Sequence, residues 1–135
     1  IACWPGRIPA AAQSDLVCGF QDILPTLADA SGQTIELTDG ISFLPTLLAE
    51  KTSQPQHTHL YWEFYERGGK RAIRKGFWKA VQHRFLDDPQ GPVELYDLSV
   101  DLEESHDLSV IHPTLVAELK RWMDGSHQPR MDNGI

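Results

Sequence analysis

Between Leu60 and Leu98 four short β-prone runs follow one another, each separated from the next by a turn or short loop containing glycine. The first, Leu60-Tyr61-Trp62-Glu63-Phe64-Tyr65, carries the aromatic and aliphatic alternation of a half-buried strand. Gly68-Gly69 then marks a hairpin turn, Lys70–Lys75 a second strand, and Gly76 another turn. Phe77–Phe85 reads as the third strand. Asp87–Pro92, with two prolines and a glycine, is a loop, and Val93–Leu98 is the fourth strand. Runs joined this closely pair as an antiparallel meander with one core face and one solvated face. Downstream, Pro113 suits a first helical position. Leu115, Leu119 and Trp122 then fall on one stripe with Val116 and Met123 beside it, while Glu118, Lys120 and Arg121 face outward. The expected fold class is α+β: a four-stranded antiparallel sheet packed against a C-terminal helix. Trp62, Trp78 and Trp122 are assigned to the core between sheet and helix, and the residues from Gly125 onward to a frayed tail.

The first fifty residues follow a different pattern. Ile1–Trp4 reads as the end of a strand, stopped by Pro5-Gly6. Asp22 is a plausible helix N-cap, with Ile23, Leu24 and Pro25 in a first turn where no N–H is needed, and Gly32 is a reasonable stop. Ser42-Phe43-Leu44-Pro45-Thr46-Leu47-Leu48 repeats that initiation pattern in other surroundings. Lys51–His57, rich in Ser, Thr, Gln and Pro, is the expected domain boundary, dividing the chain into residues 1–50 and 51–135. Trp4 is expected to pack toward a larger body outside the chain.

With 135 residues, 41% apolar and 23% charged, the composition is that of an ordinary globular domain. A net charge of −7 argues against nonspecific nucleic-acid binding, which draws on clustered Lys and Arg. No apolar run approaches the ~20 residues that span a bilayer. The chain opens on Ile1 with Trp4-Pro5-Gly6 close behind, so it reads as a piece of something longer. Cys3 and Cys18 do not have a metal-site spacing; two buried free thiols are the expectation.

Glu94-Leu95-Tyr96-Asp97-Leu98, followed by the acidic Asp101-Leu102-Glu103-Glu104-Ser105-His106-Asp107-Leu108, resembles the C-terminal hallmark of the sulfatase family. Three further segments stand in that family's order: Trp4–Ile8 (WPGRI), Asp22–Gly32 (DILPTLADASG) and Arg71–Val81 (RAIRKGFWKAV). The chain departs from the family at Leu102 (usually Pro), Asp107 (commonly Asn) and Phe77 (often polar). The resemblance implies that residues 1–50 are the last strand and helices of a larger α/β sulfatase domain. Residues 51–135 would then be its C-terminal subdomain. It further implies a parent in the alkaline phosphatase superfamily, using a formylglycine nucleophile and calcium, and a periplasmic, secreted or lysosomal setting. The formylglycine, the calcium ligands and an N-terminal sulfatase domain all belong to a part absent from this chain, which alone would be inactive. In such enzymes the C-terminal loops line the sugar or aryl side of the pocket, so Glu63, Tyr65, Glu66 and His83 are the candidate substrate-rim residues for a sulfate-ester substrate. A stand-alone module binding a sulfated glycan or protein without hydrolysis is the alternative.

Other constellations read as structural. Cys3-Trp4-Pro5-Gly6-Arg7 matches the C/S-x-P/A-x-R nucleophile motif superficially, but continues as Ile8-Pro9-Ala10 and reads as a strand closing on a Pro-Gly turn. His57-x-His59 lacks a third zinc ligand nearby and reads as loop histidines. Asp97, Asp101, Glu103 and Glu104 lack the glycine and alternating ligands of a calcium loop and read as turn and cap residues. No catalytic residue or metal ligand is assigned in this chain.

Overall fold

The computed structural model describes residues 1–50 and 54–128, and these fall into two compact units, Ile1–His57 and Thr58–Ile135. In the second unit, strands β1 (Leu60–Phe64), β2 (Lys70–Lys75), β3 (Trp78–His83) and β4 (Val93–Asp97) pair antiparallel in the order β1-β2-β3-β4. Helix α3 (Pro113–Ser126) follows. This is the α+β meander with a C-terminal helix that the patterning predicts.

Register decides which side of the sheet each residue serves, because directly opposed residues share a face. One row across the sheet is Tyr61–Ile73–Ala80–Leu95, and the next on the same side is Glu63–Arg71–Gln82–Val93. Ile73, Ala80, Val93 and Leu95 form a buried cluster with Leu119 and Met123 of α3, flanked by Tyr61, Trp78, Leu108, Leu115 and Val116. Each fully buried aliphatic side chain there contributes about 1.5–3 kcal/mol relative to exposure. The buried polar pair Arg71 and Gln82 lies on the same side. Arg71 Nε donates to Gln82 Oε1 (2.8 Å) and an Arg71 Nη to Asp124 Oδ1 on α3 (2.7 Å). Gln82 Nε2 closes the account on the carbonyls of Pro89 and Gly91.

The turns explain the strand lengths. After β1 a short 3-10 turn, Glu66–Gly68, ends at Gly69, whose φ of 81° and ψ of 146° belong to glycine alone. A Cβ at Gly69 would come within 2.7 Å of the Phe85 ring. Gly76, with φ 61°, leads the two-residue turn that sets Lys75 opposite Trp78. The third strand ends at His83 rather than Phe85, because Arg84 adopts φ 55° and turns the chain. The fourth ends at Asp97, whose carboxylate caps the next turn by accepting from the amide and hydroxyl of Ser99.

Two tryptophans depart from their expected core positions. Trp62 (40% exposed) stands on the sheet face away from α3, opposite Ala72, and Trp122 (38% exposed) sits at the flank of α3. The burial of Tyr61 and Glu63 toward α3 forces Trp62 the other way. Lys75 Nζ lies 4.7 Å from the Trp122 ring centroid, and the His59 ring 4.9 Å, so that indole is partly covered by polar groups. Trp78 does flank the core, edge-on to His112. The frayed tail expected from Gly125 onward does not begin there. Gly125 and Ser126 are helical, and His127 and Gln128 make specific contacts described below. Pro129–Ile135 lie outside the described residues.

The first unit holds α1 (Ile23–Ala30) and a single turn, α2 (Leu44–Leu47). Ile1–Trp4 has no ladder partner among the described residues. Its chain enters a turn at once, with the Trp4 carbonyl accepting from Arg7 and Ile8, so the expected strand end joins no ladder among the described residues. Asp22 precedes α1 as expected, but its side chain does not cap the helix. It is almost fully buried and accepts from Gly19 N–H, Ile41 N–H and His57 Nε2, each at 2.7 Å. Thr26 extends the network by donating to the Asp22 carbonyl and accepting from Phe43 N–H. Burial pushes the Asp22 carboxyl up, but the two amides and His57 outweigh it and hold it below the usual range. Cys3 and Cys18 are free and exposed, where burial was expected. Of the boundary loop Lys51–His57, residues 51–53 lie outside the described residues.

Candidate functional site

The turn end of the β1–β2 hairpin gathers most of the candidate substrate-rim side chains. Glu63 is its centre. On the α3 side of β1, its carboxylate accepts from Tyr61 Oη (2.5 Å), Tyr65 Oη (2.6 Å) and His127 Nδ1 (2.7 Å). Burial pushes Glu63 up, and the three donors together hold it below the usual carboxylate range. The Tyr61 phenol is raised in turn, by burial first and then by the ionised Glu63 beside it. Tyr65 is partly exposed, its ring set edge-on against Phe85 (6.2 Å between centroids). Its hydroxyl also lies 3.2 Å from the Gln128 carbonyl, so the chain leaving α3 is drawn across the hairpin. The His127 ring packs edge-on to the same Phe85 at 5.8 Å.

Of the four candidates, Glu63 and Tyr65 are therefore bonded to each other, and Glu66 follows on the exposed turn, its carbonyl accepting from Gly69 N–H. Glu63 itself is turned inward, with its side chain 11% exposed. His83 stands apart, on the opposite face of the sheet. There it is paired with Lys70 in register and bonded through Nε2 to Glu94 Oε2 (3.1 Å). Glu94 also accepts from Tyr96 Oη, and burial together with that carboxylate pushes the Tyr96 phenol up to about 12.

His127 and Tyr61 are the members of this arrangement that sequence reasoning did not single out. His127 lies beyond the amphipathic stripe, and nothing in its local sequence marks it as a partner of Glu63, 64 residues away. The basic cluster on β2 and β3, Lys70, Arg71, Arg74, Lys75 and Lys79, also divides. Arg71 is committed to the core side, Lys79 to Glu104, and Lys75 to Glu118.

The remaining candidates are placed plainly. His57 bonds to Asp22 in the first unit, whereas His59 bonds to Ser126 Oγ in the second, so neither is a simple solvated loop histidine. Asp97, bonded to Ser99, and Asp101, accepting from the amides of Ser105 and His106, take the turn-and-cap roles expected of them, whereas Glu104 pairs with Lys79; Asp107, outside that expectation, accepts from the amides of Leu95 and Ser109. Arg7 lies over the Trp4 ring at 5.0 Å, closing the Pro-Gly turn. Among the described residues no group of three or more His, Cys, Asp or Glu converges as a metal site, and no helix is long and apolar enough to cross a membrane.

No family model matches the chain. An uncharacterized sulfatase of Schizosaccharomyces pombe is 29% identical over 126 residues, covering 86% of this chain and 22% of its own length. A solved structure from Bacteroides thetaiotaomicron VPI-5482, assigned to the sulfatases, superposes with a TM-score of 0.65. It is 27% identical and covers 77% of this chain and 23% of its own. The chain is similar to the C-terminal portion of sulfatases. A third relative, Ps i-CgsB, solved in complex with k-i-k-neocarrahexaose, is 26% identical with a TM-score of 0.67. That match covers 93% of this chain and 28% of the relative. The chain thus spans about a quarter of the length of the proteins it matches.

Proposed function

We propose that this chain is the C-terminal part of a sulfuric ester hydrolase, in which it shapes the sugar side of the substrate pocket and leaves the chemistry to the rest of the protein. The observation that carries this reading is the asymmetry of the match: most of this chain aligns with about a quarter of each sulfatase relative. An exposed apolar surface on the first unit supports it. Phe20 (86% exposed), Leu24 (60%) and Leu27 (62%) project from α1 and the turn before it. A self-sufficient binding module would bury such residues, so they favour the larger-protein reading over the stand-alone one.

In this reading Tyr65 and Glu66, on the exposed hairpin turn, touch the substrate. Glu63 sits at the same rim and acts chiefly by holding Tyr65, and His83 serves the adjoining sheet face. A sulfated glycan is the proposed substrate class, in keeping with the oligosaccharide bound by Ps i-CgsB. Calcium and a formylglycine nucleophile would be held by residues outside this chain: Asp101 and Asp107 are engaged by backbone amides, and no group of three or more acidic, His or Cys side chains converges among the described residues. The test is to express the complete reading frame and this chain separately, then measure sulfate release from an aryl sulfate and from a sulfated oligosaccharide. Release by the complete protein and none by the chain supports the proposal. A complete reading frame without hydrolase activity, but with glycan binding, would replace it with the binding-module reading.

A further inference from the structure

The sheet face away from α3 has the form of a trough, and it follows from three rows of the register. The middle row is Trp62–Ala72–Val81–Glu94. Ala72 and Val81, short side chains between an indole and a carboxylate, leave a depression in the centre. On one side runs the row Phe64–Lys70–His83, on the other Leu60–Arg74–Lys79–Tyr96. Together they enclose an open groove of about 470 Å³, with Trp62, Phe64, Lys70, Lys79, His83 and Glu94 on its walls. At ~4.8 Å per strand it runs roughly 14 Å from β1 to β4.

The charges on this face are unlike those of the chain as a whole. Glu104 is neutralised by Lys79 at 2.5 Å, and Glu94 is bonded by both His83 and Tyr96. Arg74 donates only to the Gly76 carbonyl, and Lys70 has no carboxylate partner among the described residues. A chain of net charge −7 therefore carries a face with two uncommitted cations, Lys70 on the wall of the trough and Arg74 on an adjoining depression that shares Trp62, Ala72 and Lys79 with it. Trp62 and Phe64 stand on the same side of edge strand β1, 40% and 57% exposed, offering flat apolar surfaces next to those cations. An apolar platform bordered by cations and by hydrogen-bonding carboxylate, imidazole and phenol groups matches a sugar, whose C–H faces stack while its hydroxyls and anionic substituents reach the walls.

We propose that this trough is a binding site for an anionic oligosaccharide, which lies across the sheet from Trp62 toward Glu94 with its charged groups on Lys70 and Arg74. The proposal rests on the glycan part of the functional reading above, but asks nothing of hydrolysis. A short sulfated oligosaccharide, a heparin-derived hexasaccharide, and its desulfated counterpart would be titrated into the ¹⁵N-labelled 135-residue chain, following the Trp62 indole and the Phe64, Lys70 and Val81 amides. Saturable shifts at those positions are expected. Binding should weaken roughly 3- to 10-fold on desulfation and by a similar factor in a Lys70→Ala/Arg74→Ala variant, as two exposed charge contacts allow. Trp62→Ala should weaken both ligands, and Val110→Ala, exposed and outside both depressions, should leave them unchanged. Shifts confined to the Tyr65–Glu66 turn, no saturable shift, or self-association that covers Trp62 in sugar-free solution would each overturn the proposal. None of these outcomes touches sulfate release by the complete protein, so the two readings fail separately.

Discussion

Removing the carboxylate of Glu63 should loosen the whole hairpin end, and the size of the effect can be worked from its three donors. A hydrogen bond to a charged group is worth about 1.5–3 kcal/mol when both partners are shielded from water. The Tyr61 bond comes nearest to that condition and, being part-buried, takes the lower end of that range, while Tyr65 is 39% exposed and the His127 side chain 31%. Water can replace part of what those two lose, which reduces their share to a few tenths of a kcal/mol up to about 1 each. Glu63→Ala should therefore cost about 2–3 kcal/mol. In urea, with m near 1 kcal/mol/M for a unit this small, the midpoint should fall by roughly 2–3 M. Glu63→Gln keeps the shape and one acceptor oxygen, so about 1 kcal/mol is expected. The pH dependence supplies the sign check. Because the folded carboxyl is held below its ordinary value, its stabilisation is fully present above that value and is lost as pH falls through the folded one. The gap between wild type and Glu63→Gln should thus close in acid and not in alkali. An Ala variant within 0.5 kcal/mol of wild type at neutral pH, or a gap that persists unchanged to pH 2, would refute the view of Glu63 as an ionised hub.

Further expectations concern other elements. Gly69→Ala combines a glycine-only backbone conformation with a 2.7 Å approach to Phe85, and should cost about 2–4 kcal/mol in urea melts while Gly76→Ala, with open space around it, costs about 1–2. Arg71→Leu strands the Gln82 carbonyl oxygen in the core and should cost about 2–4 kcal/mol, and an Arg71→Leu/Gln82→Leu pair should recover part of the loss. Asp22→Asn places an amide against the Gly19 N–H and should destabilise the first unit by about 1–3 kcal/mol, read from amide exchange at Ile41 and Phe43. Leu24→Glu/Leu27→Glu should leave the fold of the isolated chain intact and suppress its self-association by light scattering, whereas the same change in a complete sulfatase should lower its yield of folded protein.

Much of this architecture was legible because it depends on local constraints. Glycines where φ must be positive, a proline at a helix start, and closely spaced β-prone runs leave the meander and α3 little freedom, so their positions follow from residues a few places apart. The ends of strands were less exact. Arg84 at φ 55° shows that a residue other than glycine can take the left-handed turn when its surroundings hold it there, and propensity does not register that.

What no local pattern could decide was the side of the sheet that each residue serves. In Leu60-Tyr61-Trp62-Glu63-Phe64 the wholly apolar phase is Leu60, Trp62 and Phe64, so periodicity favours burying Trp62 and Phe64, the reverse of what the structure does. The choice was made by Ile73, Ala80 and Leu95 in the neighbouring strands together with Leu119 and Met123 on α3, which draw Tyr61 and Glu63 inward and leave Trp62 and Phe64 outside. The same tertiary choice buried Arg71, turned Glu63 from an exposed rim candidate into an inward hub, and brought His127 to it across 64 residues. Sequence determined the elements, their order and the family they resemble, since those depend on neighbours in the chain. The trough, the hub and the division of the basic cluster depend on which side chains meet across strands, and only the packed sheet sets that.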